Sequence, residues 1–277
     1  MDTSRKLTQL FPESRTDVQL DNLYLTRHPE VTDTFIYTNF ITSLDGRIAI
    51  DHPITGKHGI PNFITNDRDW RLYQELAARA DVLLVSARYM RELIKGEAQD
   101  NLPVSQAPEF EDLRQWRLSK GLSAQPAVVI LSSSMDLPLK SICEIMDREV
   151  FVATGKQSSV RSIEDTPAQI IYAGENKRVE AKWLITQLAN KGFKQIYSIA
   201  GSGVFETLVK DRMLDRLYLT QVHRIIGGKA YDSLIEGDLL VPPSNFKLTS
   251  LHYDESNSEE SNGSECGQFF CIFDKAY

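Results

Sequence analysis

Ile196-Tyr197-Ser198-Ile199-Ala200-Gly201-Ser202-Gly203-Val204-Phe205-Glu206-Thr207-Leu208 carries a short apolar run into Gly-Ser-Gly and then into a helical pattern. A strand that ends in such a turn leaves unpaired backbone N–H groups and a positive helix end at one point, which suits a phosphate. Glycine there admits close approach of a ligand to the backbone. A lone Gly-x-Gly often just turns the chain. A second stretch, Asn39-Phe40-Ile41-Thr42-Ser43-Leu44-Asp45-Gly46-Arg47-Ile48-Ala49, adds another strand-like run closed by small and polar residues.

Working outward, the 35–44 run is β-branched and aromatic and reads as a strand, followed by a loop with Pro53, Gly56, Gly59 and Pro61. Asn66 or Asp67 is placed to cap a helix carrying Trp70, Leu72, Tyr73, Leu76 and Ala77. Buried strands are expected over 81–85, 127–131, 149–153, 170–173 and 196–199, with helices over 87–95, 180–191 and 205–210. Continuous apolar strands alternating with helices imply a mainly parallel central sheet flanked by helices, so the fold class is α/β. The tail differs: 214–222 is a strand, and 247–253 and 269–273 read as an antiparallel hairpin joined by an acidic, mobile loop over 254–268. Residues 1–33 read as an N-terminal arm and 34–277 as one domain.

Composition narrows the function. The 277 residues are 42% hydrophobic and 25% charged with net charge −7, which argues against a nucleic-acid surface. Three cysteines, an odd number without Cys-x-x-Cys spacing, read as free thiols, and the five histidines are scattered, so no metal site is expected. The polar first fifteen residues lack a signal-peptide core, and no apolar run reaches membrane-spanning length, so a cytoplasmic protein is expected.

In open α/β sheets ligands bind beyond the carboxyl ends of the strands. The residues there are Ser43 with Asp45, Ser86 to Arg88, Ser132 with Ser133, Thr154 with Gly155, and Gly201 to Phe205. Hydroxyls and backbone amides suit phosphate and ribose, and Arg88 adds a permanent planar charge. Each alone also fits a turn or a helix cap; five together point to a nucleotide. Asp45 and Asp69 are the carboxylates available as a proton source or substrate orienter, although Asp45 also reads as a turn residue before Gly46 and Asp69 as a first-turn helix charge. Asn39, Ser43, Phe63 and Thr65 are candidates for the substrate.

Ser43-Leu44-Asp45-Gly46-Arg47-Ile48-Ala49, Ala87-Arg88, Ile130-Leu131-Ser132-Ser133 and Ile199-Ala200-Gly201-Ser202-Gly203-Val204-Phe205 together resemble the reductase domain of riboflavin biosynthesis, from about residue 23 onward. That resemblance implies a dihydrofolate-reductase-like fold, NADPH as cofactor, a heterocyclic small-molecule substrate and a homodimer. It assigns Arg88, Ser132 and Ser133 to the adenosine 2′-phosphate. Gly201, Ser202, Gly203, Val204 and Phe205 go to the pyrophosphate, with Ser86, Ala87 and Thr154 completing the cofactor set. A dinucleotide fingerprint is not present after the first strand, which disfavours a Rossmann dehydrogenase. Three departures stand out: Ala77 where the family carries an arginine, Ile199 where it carries an acid, and Glu92 to Gly96 where it carries Asp-Asp-Pro-x-Leu-Thr-x-Arg. They keep two alternatives open, a nucleotide-binding sensor that has lost catalysis and a dihydrofolate-reductase-like enzyme with another substrate.

Overall fold

The computed structural model describes residues 6–158, 166–255 and 266–276. The chain divides into two compact units, one made of Met1–Pro29, Tyr37–Glu75 and Leu214–Tyr277, the other of Glu30–Ile36 and Leu76–Met213. In chain order the first elements are β1 (Lys6–Phe11), β2 (Arg15–Gln19), α1 (Leu23–Arg27), β3 (Phe35–Ser43), β4 (Ala49–Asp51), β5 (His58–Gly59) and α2 (Asp67–Arg79). Then come β6 (Val82–Ser86), α3 (Ala87–Ile94), α4 (Glu111–Ser119), β7 (Ala127–Leu131), α5 (Leu139–Ile145) and β8 (Val150–Thr154). They are followed by β9 (Gln169–Tyr172), α6 (Ala181–Asn190), β10 (Gln195–Ser198) and α7 (Ser202–Lys210). The chain closes with β11 (Arg216–Val222), β12 (Tyr231–Asp232), β13 (Phe246–Asp254) and β14 (Gln268–Lys275).

The second unit is the α/β part read from the sequence. Its strands run β10-β6-β7-β8-β9 and all pair in parallel. Val82 to Val85 and Val128 to Ile130 are each at most 1% exposed, as expected of strands covered on both faces. Two interior features hold it. Arg117 of α4 is fully buried, and its Nη1 donates to the carbonyls of Ala78 and Ala80 at the end of α2, satisfying groups that a helix end leaves open. Gly155 lets the loop after β9 pack closely, because an added Cβ would sit 1.8 Å from the Asn176 carbonyl oxygen. That glycine, counted among the strand-end residues open to a ligand, serves packing.

In the first unit the strands run β2-β1-β13-β14-β11-β3. β11 and β3 are parallel over seven register pairs ending at Val222 and Ser43, and β13 and β14 form the expected antiparallel hairpin. Asp254 and Gln268, placed in the connecting loop by sequence, are instead buried ends of β13 and β14, joined by Gln268 Nε2 to Asp254 Oδ2 at 2.8 Å. Residues 256–265 of that loop lie outside the described residues. The first 33 residues do more than form an arm. They supply β1, β2 and α1, with Leu7, Leu20, Leu23, Tyr24 and Leu25 buried.

Glu75 of α2 ties α1 in place. Its carboxylate is fully buried and accepts from the backbone N–H of Asn22 (2.5 Å) and Tyr24 (2.9 Å) and from Arg71 Nε (3.0 Å). It thus caps a five-residue helix that has no side-chain cap of its own. Burial raises its pKa to about 7, outweighing Arg71 and the two N–H donors. Glu75→Ala should destabilise the protein by about 1–3 kcal/mol, since it takes the carboxylate acceptor away from two backbone N–H donors. Urea denaturation reads this as a lower midpoint at unchanged slope; an unchanged midpoint would show that α1 does not need this cap.

Candidate active site

All the residues assigned to a cofactor lie in the second unit, at carboxyl ends of its parallel strands or the helix starts beyond them. β6 ends at Ser86, and Ala87 and Arg88 open α3, where the sequence placed a helix. Ser86 caps that helix, its Oγ accepting from the Tyr89 N–H at 3.1 Å. Ala87 is buried and Arg88 is exposed, its Nε 2.9 Å from Glu92 Oε1. Ser132 is buried, with Oγ accepting from the Met135 N–H, whereas Ser133 is exposed. Thr154 is wholly buried, and its Oγ1 has no hydrogen-bond partner.

Gly201 is the N-cap of α7, with no side-chain cap bond. An added Cβ at Gly201 or Gly203 meets nothing within 4 Å, so the chain itself does not demand glycine at either place. The first N–H groups of a helix have no intrahelical partner, and the backbone here is open in front of them. Phe205 is buried and packs inward, while Ser202 is nearly buried and Val204 half-buried. The exposed backbone at Gly201 and Gly203 therefore fits a pyrophosphate at the start of α7. Arg79, the cation nearest in sequence to the missing arginine at Ala77, is committed elsewhere: its Nη2 is 2.7 Å from Glu30 Oε1 and its guanidinium lies 5.3 Å from the Trp116 ring centroid.

The two carboxylates belong to the first unit and differ sharply. Asp45 is held by four donors: Ser43 Oγ (2.5 Å), Arg47 Nη1 (2.6 Å), the Gly227 N–H (2.8 Å) and the Ile226 N–H (3.3 Å). Burial acts to raise its pKa, but Ser43, Gly227, Ile226 and Arg47 together bring it down to about 2. Such a group is ionised at neutral pH and fully occupied. It anchors the turn after β3 to the 226–227 segment. Ser43, fully buried, is spent on the same turn.

Asp69 is the opposite case. Asn66 caps α2 by accepting from the Asp69 N–H at 2.9 Å, which fixes the residue in the first turn. Its Oδ1 accepts from Thr220 Oγ1 of β11 at 2.5 Å. Burial raises its pKa to about 6 against that one bond. A carboxyl that titrates near neutrality can both hold and release a proton. Thr220 was not singled out in the sequence. Its signal was a hydroxyl at a buried position in step with Tyr218 and Val222 along a strand of period two. Among the substrate candidates, Asn39 is half-buried in β3, Phe63 is 46% exposed, and Thr65 is exposed with Oγ1 on the Asn62 carbonyl.

The model of the RibD C-terminal domain family matches residues 34–257, most of the sequence. The chain belongs to the RibD C-terminal domain family. No curated protein matches the sequence. Among solved structures, a pyrimidine reductase-like protein from Corynebacterium diphtheriae is similar at 18% identity and TM-score 0.65, covering 94% of this chain and 100% of its own. A diaminohydroxyphosphoribosylaminopyrimidine deaminase/5-amino-6-(5-phosphoribosylamino)uracil reductase from Thermotoga maritima is similar at 18% identity and TM-score 0.56, over 91% of this chain and 58% of that one. The riboflavin biosynthesis reductase of Saccharomyces cerevisiae is similar at 12% identity and TM-score 0.50, over 91% and 94%. The family's reductase-like α/β fold is thus the fold of this chain. Among the described residues no helix is long and apolar enough to cross a membrane.

Proposed function

We propose that the chain is an NADPH-dependent reductase acting on a riboflavin-pathway pyrimidine, 5-amino-6-(5-phosphoribosylamino)uracil or its diamino counterpart. The observation that carries this is Asp69: a carboxyl in the first unit of a reductase-family protein, near neutral acidity, held by one hydroxyl. NADPH supplies the hydride. Gly201 to Phe205 hold its pyrophosphate at the start of α7, Thr154 adds a hydroxyl, and Arg88 with Ser132 and Ser133 receives the 2′-phosphate. Asp69 provides the proton that a two-electron reduction places on the heteroatom. Asp45 keeps the turn after β3 in shape and stays ionised. The same family resemblance supports a cytoplasmic homodimer, and sedimentation of the purified protein checks the dimer.

Mixing the protein with NADPH and the pyrimidine ribosyl-phosphate should lower the nicotinamide absorbance with turnover. Ala77 and the engaged Arg79 favour a second reading. A phosphorylated substrate needs a paired cation or several N–H donors. If NADPH binds but neither this pyrimidine, nor dihydrofolate, nor a panel of carbonyl compounds is reduced, the chain is a nucleotide-binding sensor. Arg88→Ala tests the cofactor assignment separately. It should remove about ten- to hundredfold of the preference for NADPH over NADH in direct binding, as a charge-assisted phosphate contact contributes. An unaltered preference would take Arg88 out of the site.

A further inference from the structure

We propose that Gln268, at the start of β14, is a positioning residue for Asp69: through Asn66 it docks the first turn of α2 on the strand ends and so keeps the Asp69 carboxyl on the Thr220 hydroxyl. The inference rests on the reading of Asp69 as proton donor. The start of α2 reaches four neighbouring strands of the first unit, which lie in the order β1-β13-β14-β11. Arg68 donates through Nη2 to the Lys6 carbonyl of β1 (3.3 Å) and through Nε to Asp254 Oδ2 of β13 (2.7 Å). Asn66, which caps the helix, exchanges two bonds with Gln268 of β14. Its Nδ2 donates to Gln268 Oε1 at 2.9 Å, and Gln268 Nε2 donates back to Asn66 Oδ1 at 3.2 Å. Asp69 accepts from the Thr220 hydroxyl of β11 at 2.5 Å.

Gln268 is the centre of this series. It is 2% exposed, and its amide donates to Asn66 and to Asp254 while its carbonyl accepts from Asn66. A glutamine amide has two N–H donors, so both are engaged here. Capping the helix needs only the Asn66 oxygen, which accepts from the Asp69 N–H at 2.9 Å. The second amide does something the cap does not require: it ties the capped turn to the sheet. Gln268 lies opposite Val222, and Thr220, two residues along β11, presents its side chain on the same face. A hydrogen bond weakens as its partners separate, so the Thr220 bond depends on how closely the turn is held to β11. Of the charged groups early in α2, Asp67 is exposed, Arg68 is paired with Asp254, and Arg71 with Glu75 and Asp21. From α1, Tyr24 feels the Asp69 charge.

The test is an NMR pH titration of the Asp69 carboxyl carbon in the full-length protein grown with labelled aspartate, with Asp69→Asn assigning the resonance. Thr220→Val removes the bond itself and should raise the midpoint above about 6, because that bond favours the ionised form. Gln268→Met keeps the side-chain length without the amide and should raise the midpoint by about half a pH unit. Asn66→Ser retains a cap for α2 but is too short to meet Gln268, and should give the same shift. Added to Thr220→Val, Gln268→Met should shift the midpoint no further, since residues acting through one bond are not additive. The inference is overturned by a midpoint that is not raised in Thr220→Val or in either of the other variants that folds. It is equally overturned by a Gln268→Met shift that persists undiminished in the Thr220→Val background. A wild-type midpoint well below 6 sinks the reading of Asp69 as proton donor, and the inference with it. A wild-type midpoint at about 6 that Gln268→Met leaves in place sinks the inference alone.

Discussion

Asp69→Asn is expected to lower turnover by about 10²–10⁴-fold, the range typical of a positioned general acid, with far less change in cofactor affinity. The pH dependence gives the sign. With its pKa at about 6, Asp69 holds a proton below that pH and loses it above. Activity should therefore be flat on the acid side and fall about tenfold per pH unit above about 6. In Asp69→Asn that limb should vanish, because the amide does not titrate. Asp45→Asn should leave the limb where it is, since Asp45 is already ionised at about 2 and its four donors fix a turn. A limb that persists in Asp69→Asn would mean that the proton comes from solvent.

The second large effect is at Gly201. Replacing it with valine should weaken NADPH binding by about a hundredfold or more, equivalent to losing one to two charge-assisted bonds. The far-UV spectrum and melting point should stay close to wild type. The reason is local: Gly201 has φ −71 and ψ −166, extended backbone that any residue adopts, and its added Cβ meets nothing. The branched side chain would fill the open space over the first N–H groups of α7. Gly155 is the internal contrast, since there a Cβ strikes the Asn176 carbonyl and the fold itself would be damaged. Normal NADPH binding by Gly201→Val would make the turn structural only.

The parallel strands and their helices were legible because two-sided burial writes a continuous apolar run, as in Val82 to Val85, and Gly192, at φ +93 after α6, marked the end of that helix. The N-terminal strands were not. Residues Lys6–Phe11 bury only Leu7 and Gln9 along the inward face, and a polar residue in such a position breaks the alternation. β12 was hidden for a different cause. Its two residues pair with β4, and Asp232 lies 3.0 Å from His58 of β5, contacts made across long sequence separations. At the site, residue types pointed to both carboxylates, but their roles were set by partners that spacing does not reveal. Asp45 is surrounded by donors, and Asp69 has one hydroxyl in a buried setting.

The most direct measurement of the account is calorimetric titration of the purified protein with NADPH and, separately, NADH. Binding of both to one site, with NADPH tighter by about ten- to hundredfold, is the predicted result. Equal dissociation constants, or no heat from either cofactor, would contradict it.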